Sequence, residues 1–390
     1  MKIAVVCDSF KGSLTSKDAC AAVKDGLLRC NKNFEVLSLP FADGGEGTSR
    51  CFYDILGGQL RKAAVHDPLL REITAEYTVL PDGTAVIDIA SASGLTLLKS
   101  SERDAVKVSS LGSGELICDA AEHGAKHIIL GLGGSATTDA GTGILYALGM
   151  RFFSEDGVEV LPDGQNMIRV KKIRRTENFE KFKDIKFTLA CDVTNPLCGE
   201  NGAAYVFSPQ KGASKNDVKL LDDGLRNIGE IFEKASGKKI INLPGAGAAG
   251  GIGGGLSAFL NCELQSGFDV LARAASLEDK IRRSDAVITG EGKTDRQTLF
   301  GKLPKRVSDI AEKFGVPCIL LSGDVENDIS AEKLGVCEIH KIKENGISLE
   351  HCMKNAASLL SERAFAIGKN SKIINKQYSR KQEKIRENER

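Results

Sequence analysis

Apolar positions fall along this chain in two patterns. At the start, Lys2–Cys7 is a short apolar run of the kind that makes a strand buried on both faces. Ser13-Leu14-Thr15-Ser16 offers cap residues for a helix carried by 18–28, and 34–39 reads as the next strand. Near the other end the same order returns: strand 286–288, helix 303–314, strand 318–321, a helix near 329–334, a strand near 338–342 and a closing helix over 349–367. Repeated strand–helix–strand order predicts a parallel sheet. From 57 to 89 the pattern changes to alternating stretches, 59–65, 73–80 and 84–89, parted by turns such as Pro81-Asp82-Gly83. Alternation with tight turns predicts antiparallel pairing. The expected fold is therefore α/β. A parallel-sheet, Rossmann- or flavodoxin-like domain is built from both chain ends, 1–57 plus 265–370, and a mixed α/β domain, 58–264, is inserted into it.

Composition narrows the function classes. Of 390 residues, 42% are hydrophobic and 27% charged, a balance that supports a folded core. No apolar run approaches the roughly 18 residues that cross a bilayer. The opening MKIAVVCDSF reaches Asp8 after five apolar residues, fewer than the roughly 7–15 of a signal-peptide core. Lys+Arg 53 against Asp+Glu 52 gives a net charge of +1, so no global field draws in nucleic acid or an anionic membrane, and neither is expected as a partner. Eleven cysteines without CxxC pairs and five dispersed histidines lack zinc spacing and point to reduced thiols in a cytoplasm. The stretch 371–390 is basic and nearly free of apolar residues after Ile374, and is expected to be a disordered tail.

Glycine is the outlier, 42 in 390 against a usual share of about 7%. Three loops concentrate it. Gly290-Glu291-Gly292-Lys293-Thr294 ends like a Walker A loop, but the position that needs the first glycine holds Val287. Its residue types still suit phosphate: Gly290 and Gly292 allow tight backbone geometry, Lys293 supplies a mobile cation and Asp295 a Mg²⁺ ligand. Gly131–Ala136 satisfies GxGxxA after the strand 127–130 and leads through helix 144–148 and strand 150–153 to Glu155 and Asp156. Gly245–Gly250 is a literal GxGxxG after 239–243, with Pro244 intervening. These two loops carry a competing reading, a nicotinamide-dependent oxidoreductase. Against it, neither lies in the first βα turn, and neither His66 nor His127 suits the acid–base role. A further group of carboxylates stands after strands, Asp8, Asp43 with Glu46, Asp192 and Asp295. In parallel sheets, ligands bind at that edge.

Taken in order, the blocks Asp8-Ser9-Phe10-Lys11-Gly12-Ser13-Leu14, Ala42-Asp43-Gly44-Gly45-Glu46-Gly47-Thr48, Gly131 to Gly143, Asp192-Val193-Thr194-Asn195-Pro196-Leu197, Gly199 to Ala204, Pro244 to Gly255 and Thr289-Gly290-Glu291-Gly292-Lys293-Thr294-Asp295 resemble the type I glycerate kinase family of bacteria over about residues 1–370. The resemblance implies transfer of the ATP γ-phosphoryl group to D-glycerate, with the 2-phosphate favoured over the 3-phosphate, and ATP with Mg²⁺ as cofactors. Such a reaction needs phosphate cradles, a metal, a cation for the transferring group and a base for the hydroxyl. Gly133, Gly134, Ser135 and Thr137, Gly250, Gly251 and Gly253, and Gly290 and Gly292 are the nucleotide cradle candidates. Asp192 and Asp295 are the metal and catalytic candidates. Lys293 and Lys11 would neutralise developing charge, and Asp43 would act as base or metal ligand. Asp8 and Ser9 would bind substrate. An arginine clamp is expected for the glycerate carboxylate, from Arg71 or Arg296.

Overall fold

The computed structural model describes residues 1–42, 44–344 and 346–379. It divides into two compact units, one bounded by Met1–Asp43 and Leu271–Arg390, the other by Gly44–Val270. Among the described residues no helix is long and apolar enough to cross a membrane.

The first unit is built on a five-stranded parallel sheet in the order Glu338–Lys341, Cys318–Ser322, Ala286–Gly290, Lys2–Cys7, Glu35–Pro40. Ile3, Ala4, Val5 and Val6 are fully buried, as a central strand covered on both faces requires. The helix Ser16–Cys30 starts where Thr15 Oγ1 accepts the Asp18 N–H at 3.1 Å. It crosses the helix Ala356–Asn370 at Gly26, where a Cβ would lie 2.0 Å from the Ser361 carbonyl oxygen. The closing helix expected over 349–367 is two helices, Leu349–Lys354 and Ala356–Asn370. They part at Asn355, whose backbone leaves the helical region at φ −110° and ψ 18°, and whose side-chain amide joins its own N–H in donating to the His351 carbonyl.

The second unit carries a six-stranded mixed sheet. Asn261–Gln265, Lys186–Ala190, His127–Gly131 and Ala85–Asp88 run parallel, and Glu72–Val79 and Gln59–His66 complete it antiparallel. The alternating stretches form the expected hairpin, in register from Gln59↔Val79 to His66↔Glu72. Tyr77, Phe152, Phe187 and Phe232 fill its core.

Four local readings change. Residues 44–57 lie in the second unit, because the helix Thr48–Leu56 rests on its sheet: Ser49 Oγ donates to the Val86 carbonyl at 2.8 Å and bonds Thr78 Oγ1 at 2.9 Å. Residues 265–270 lie there too. Segment 239–243 is turn and irregular backbone, with no strand. Residues 372–379, assigned to a disordered tail, are helical, with Ile374 buried and Tyr378 edge-on to Phe34 at 5.8 Å. The rest of that tail, 380–390, lies outside the described residues.

Candidate active site

In the first unit, strands Lys2–Cys7 and Ala286–Gly290 end side by side, and the Asp8 N–H donates to the Gly290 carbonyl at 2.9 Å. Beyond this point the chains diverge and open a cavity of about 690 Å³. Asp8, Ser9, Lys11, Glu291, Gly292, Lys293, Asp295, Lys302, Asp324 and Lys343 line it, with Phe10, Ile342, Leu349, Cys352, Met353 and Ala356. The turn after Gly290 is fixed by a short parallel pairing of Lys293 with Asp324 and Thr294 with Val325. A Cβ on Gly290 would fall 2.3 Å from the Leu321 carbonyl oxygen, and one on Gly323 would fall 2.1 Å from that of Gly292. Close backbone packing accounts for Gly290; Gly292 also faces the cavity.

Asp295 caps the short helix Arg296–Leu299, and its Oδ1 accepts the Gln297 N–H at 2.9 Å and the Lys302 ammonium at 3.0 Å. Burial acts to raise its pKa, but Lys302 and the backbone donors outweigh it and hold the carboxyl below the usual range. Glu291 is buried, accepts the Thr298 hydroxyl at 2.7 Å, and has its pKa raised by that burial, against the pull of Lys302. Lys302 thus serves two acids, and the sequence reading passed over it. Its signal was present: it is the N-cap residue of helix Leu303–Lys313, where a cation opposes the helix dipole. Lys293 is largely exposed and pairs with Glu326 at 2.9 Å. Asp8 accepts the Ser9 N–H at 2.6 Å. Arg296 is absent from the cavity wall; it pairs with Asp328 at 2.6 Å on the surface.

The second unit gathers its own loops at the carboxyl edge of Ala85–Asp88, His127–Gly131 and Lys186–Ala190. Buried Asp88 accepts the N–H groups of Gly47 at 2.9 Å and Ser49 at 3.0 Å. Burial raises its pKa to about 7, and the two backbone donors offset only part of that. Gly133 donates its N–H to the Gly44 carbonyl at 3.0 Å, and a Cβ there would lie 2.4 Å from Gly45 Cα. Ser135 Oγ and the Thr137 carbonyl hold the ammonium of Lys211 at 2.8 and 2.6 Å. Lys211 is itself buried, and desolvation lowers its pKa to about 7 against the attraction of buried Asp139. Asp139 is met by the N–H and hydroxyl of Ser110 at 2.9 and 2.7 Å. Thr137 Oγ1 is buried and has no hydrogen-bond partner among the described residues.

Several candidates meet different surroundings from those expected. A Cβ on Gly250 would lie 2.0 Å from the Thr137 carbonyl oxygen, one on Gly251 2.9 Å from Ala140 Cα, and one on Gly253 2.3 Å from the Gly245 carbonyl oxygen. These glycines serve close chain crossings. Gly134 has a φ of +77°. Arg71 is engaged by Asp67 at 2.5 Å and Glu102 at 2.8 Å. Asp192 is exposed after strand Lys186–Ala190, and stands in a different unit from Asp295. Asp43 lies outside the described residues.

The dinucleotide reading finds no support in this topology. Its fingerprint needs a strand, a glycine turn, a helix and a second parallel strand. After His127–Gly131 and helix Thr142–Ala147 comes Met150–Phe153, which pairs antiparallel with Lys172–Arg175 in a separate ribbon. The second loop follows turns. Among the described residues no three His, Cys, Asp or Glu side chains converge as a metal cage. A divalent cation here would draw its remaining ligands from bound phosphate or water, the usual manner of Mg²⁺.

Comparison with known proteins is consistent across sequence and fold. The sequence model of the glycerate kinase family matches residues 3–372. A glycerate kinase of Halalkalibacterium halodurans is 38% identical over 364 residues, 93% of this chain and 96% of that one. A glycerate 2-kinase of Escherichia coli is 40% identical over 330 residues, 84% of this chain and 87% of that one. A crystal structure from Salmonella typhimurium LT2, described as a glycerate kinase 2, superposes with a TM-score of 0.84 at 34% identity, covering 95% of this chain and 97% of the other. This chain belongs to the glycerate kinase family.

Proposed function

We propose that this protein transfers the γ-phosphoryl group of ATP to a hydroxyl of D-glycerate, the 2-hydroxyl favoured over the 3-hydroxyl. Relatives of that name at up to 40% identity support the reaction class. The observation that carries it is the cavity of the first unit, which Lys11, Lys293, Lys302 and Lys343 line together with Asp8, Glu291 and Asp295. Phosphoryl transfer is mainly positioning and charge stabilisation, and this lining offers both signs of charge at the end of parallel strands. Lys293, exposed on the cavity lining and paired with Glu326, is the cation for the transferring group and would exchange that partner for a phosphate oxygen. Asp295, kept ionised by Lys302, suits Mg²⁺, which takes one or two carboxylates and completes its shell with phosphate oxygens and water. When bound, that ion would neutralise charge on the phosphates. Asp192 remains a second metal candidate, and Asp43 the candidate base. The arginines Arg71 and Arg296 are committed to carboxylates of the protein, so Lys11 and Ser9 are the better partners for the glycerate carboxylate. The cysteines among the described residues are free, in keeping with a cytoplasmic setting.

The test is direct. Purified protein with MgATP and D-glycerate is expected to release ADP, and phosphorus NMR of the product identifies the esterified hydroxyl. Folded protein that gives no ADP above the glycerate-free background sinks the assignment.

A further inference from the structure

The cavity of the first unit is lined by two chemically different sets of residues. One set is the lysines and carboxylates already described. The other is apolar: Phe10, Ile342, Leu349, Cys352, Met353 and Ala356. Leu349 and Met353 are one helical turn apart in Leu349–Lys354, so they share a face. They are 60% and 38% exposed, which is unusual for large apolar side chains inside a concave site and leaves apolar area for a ligand to cover. Their helix is tied to the loop after the first strand, where the Ser13 hydroxyl donates to the Met353 carbonyl at 2.9 Å. Gly12, at a φ of +74°, lies against the end of Met353; a Cβ there would sit 3.0 Å from its methyl carbon. The wall is therefore held in place by the same loop that supplies Asp8, Ser9 and Lys11.

Glycerate has no use for such a wall, because every one of its carbons carries oxygen. A ring of low polarity joined to an anionic chain would satisfy both sets of lining residues. The cavity of about 690 Å³ is of the size that takes such a molecule. We infer that the Leu349 and Met353 face of this cavity is the seat of the adenine ring of the nucleotide, with the phosphates met by the lysines of the same lining. This rests on the reading that the protein uses ATP. It moves the nucleotide away from the glycine loops 133–137 and 250–253 and places it in the first unit.

The test separates ring binding from phosphate binding. The double variant Leu349→Ser, Met353→Ser removes apolar surface without adding charge, and the single variant Leu349→Ser, at the more exposed position, serves if the double variant fails to fold. Calorimetric titration with ATP and with inorganic tripolyphosphate gives two dissociation constants. The expected result is at least a tenfold weaker Kd for ATP and an unchanged Kd for tripolyphosphate, with the KM for glycerate unchanged. An unaltered ATP Kd overturns the inference, as does equal weakening of both ligands, which would mean that the helix shapes the phosphate site alone. Turnover of glycerate by a variant whose KM for ATP has not moved would also overturn it, while leaving the proposed reaction standing. Parent protein that binds ATP and shows the expected Kd pattern, but releases no ADP with glycerate, would do the reverse.

Discussion

Asp88 couples the chemistry of one buried proton to the stability of the second unit. Its carboxyl ends the strand Ala85–Asp88 and accepts two N–H groups at the start of helix Thr48–Leu56. Burial raises its pKa to about 7, from about 3.9 in an unfolded chain. Below pH ~4 both states hold the proton. Between about 4 and 7 only the folded state holds it, so unfolding releases a proton and stability falls as pH rises, by about 1.4 kcal/mol per unit. Over roughly three units that amounts to ~4 kcal/mol, fully in place above pH ~7. Asp88→Asn is neutral at every pH and keeps one acceptor oxygen; losing the second N–H bond costs about 1–2 kcal/mol. The stability of the variant minus that of the parent is therefore expected to rise by up to ~4 kcal/mol from pH 4 to pH 8, leaving the variant the more stable at pH 8. The assay is urea unfolding followed by far-ultraviolet circular dichroism at constant ionic strength, since the chain has no tryptophan. A difference that stays flat across this range would refute the reasoning. It would mean that the two N–H bonds and the positive helix end overcome desolvation and keep Asp88 ionised.

Three further expectations follow from the same structure. Lys211, buried and depressed to about 7, loses its proton in the folded state well before it does so unfolded near 10.4, so stability should rise with pH between about 7 and 10. Lys211→Met should flatten that rise in the same unfolding assay, and an unchanged slope would show the lysine to be charged. Asp295→Asn keeps an acceptor at the cap and should cost at most about 1 kcal/mol of stability, while turnover falls strongly if the carboxylate meets Mg²⁺; unchanged kcat with a lower Tm would make it a cap alone. Lys293→Met should lower kcat by at least about a hundredfold with little effect on Tm; a rise confined to the KM for ATP would assign the lysine to ground-state binding.

The parts legible in the sequence were those set by local pattern. The apolar run Lys2–Cys7 needed no partner to be recognised as a buried strand, and the 59–80 alternation specified its own hairpin. The blocks around Asp8 and Gly290 are brought together by direct pairing of their two strands, at the carboxyl edge where the strand–helix–strand pattern allows residues after strands to converge. What stayed hidden depends on segments far apart in the chain. Nothing near Lys211 in sequence shows that Ser135 and Thr137 will close over it, 76 and 74 residues away. Nothing beside Asp88 shows that Gly47 and Ser49 will supply its donors. The GxGxxG at 245–250 is ambiguous for a related reason: glycine spacing records where backbone must come close, without saying to what. At Gly250 one close neighbour is the Thr137 carbonyl of the protein itself. Lys302 is the instructive middle case. A lysine at a helix N-cap works against the helix dipole, a local cost readable from sequence once the helix start is placed. Its charge is instead matched at the cavity by Asp295, 3.0 Å away. In Lys302 the conflict with the local rule of its own helix points to a charge partner at the cavity, a kind of information that glycine spacing does not carry.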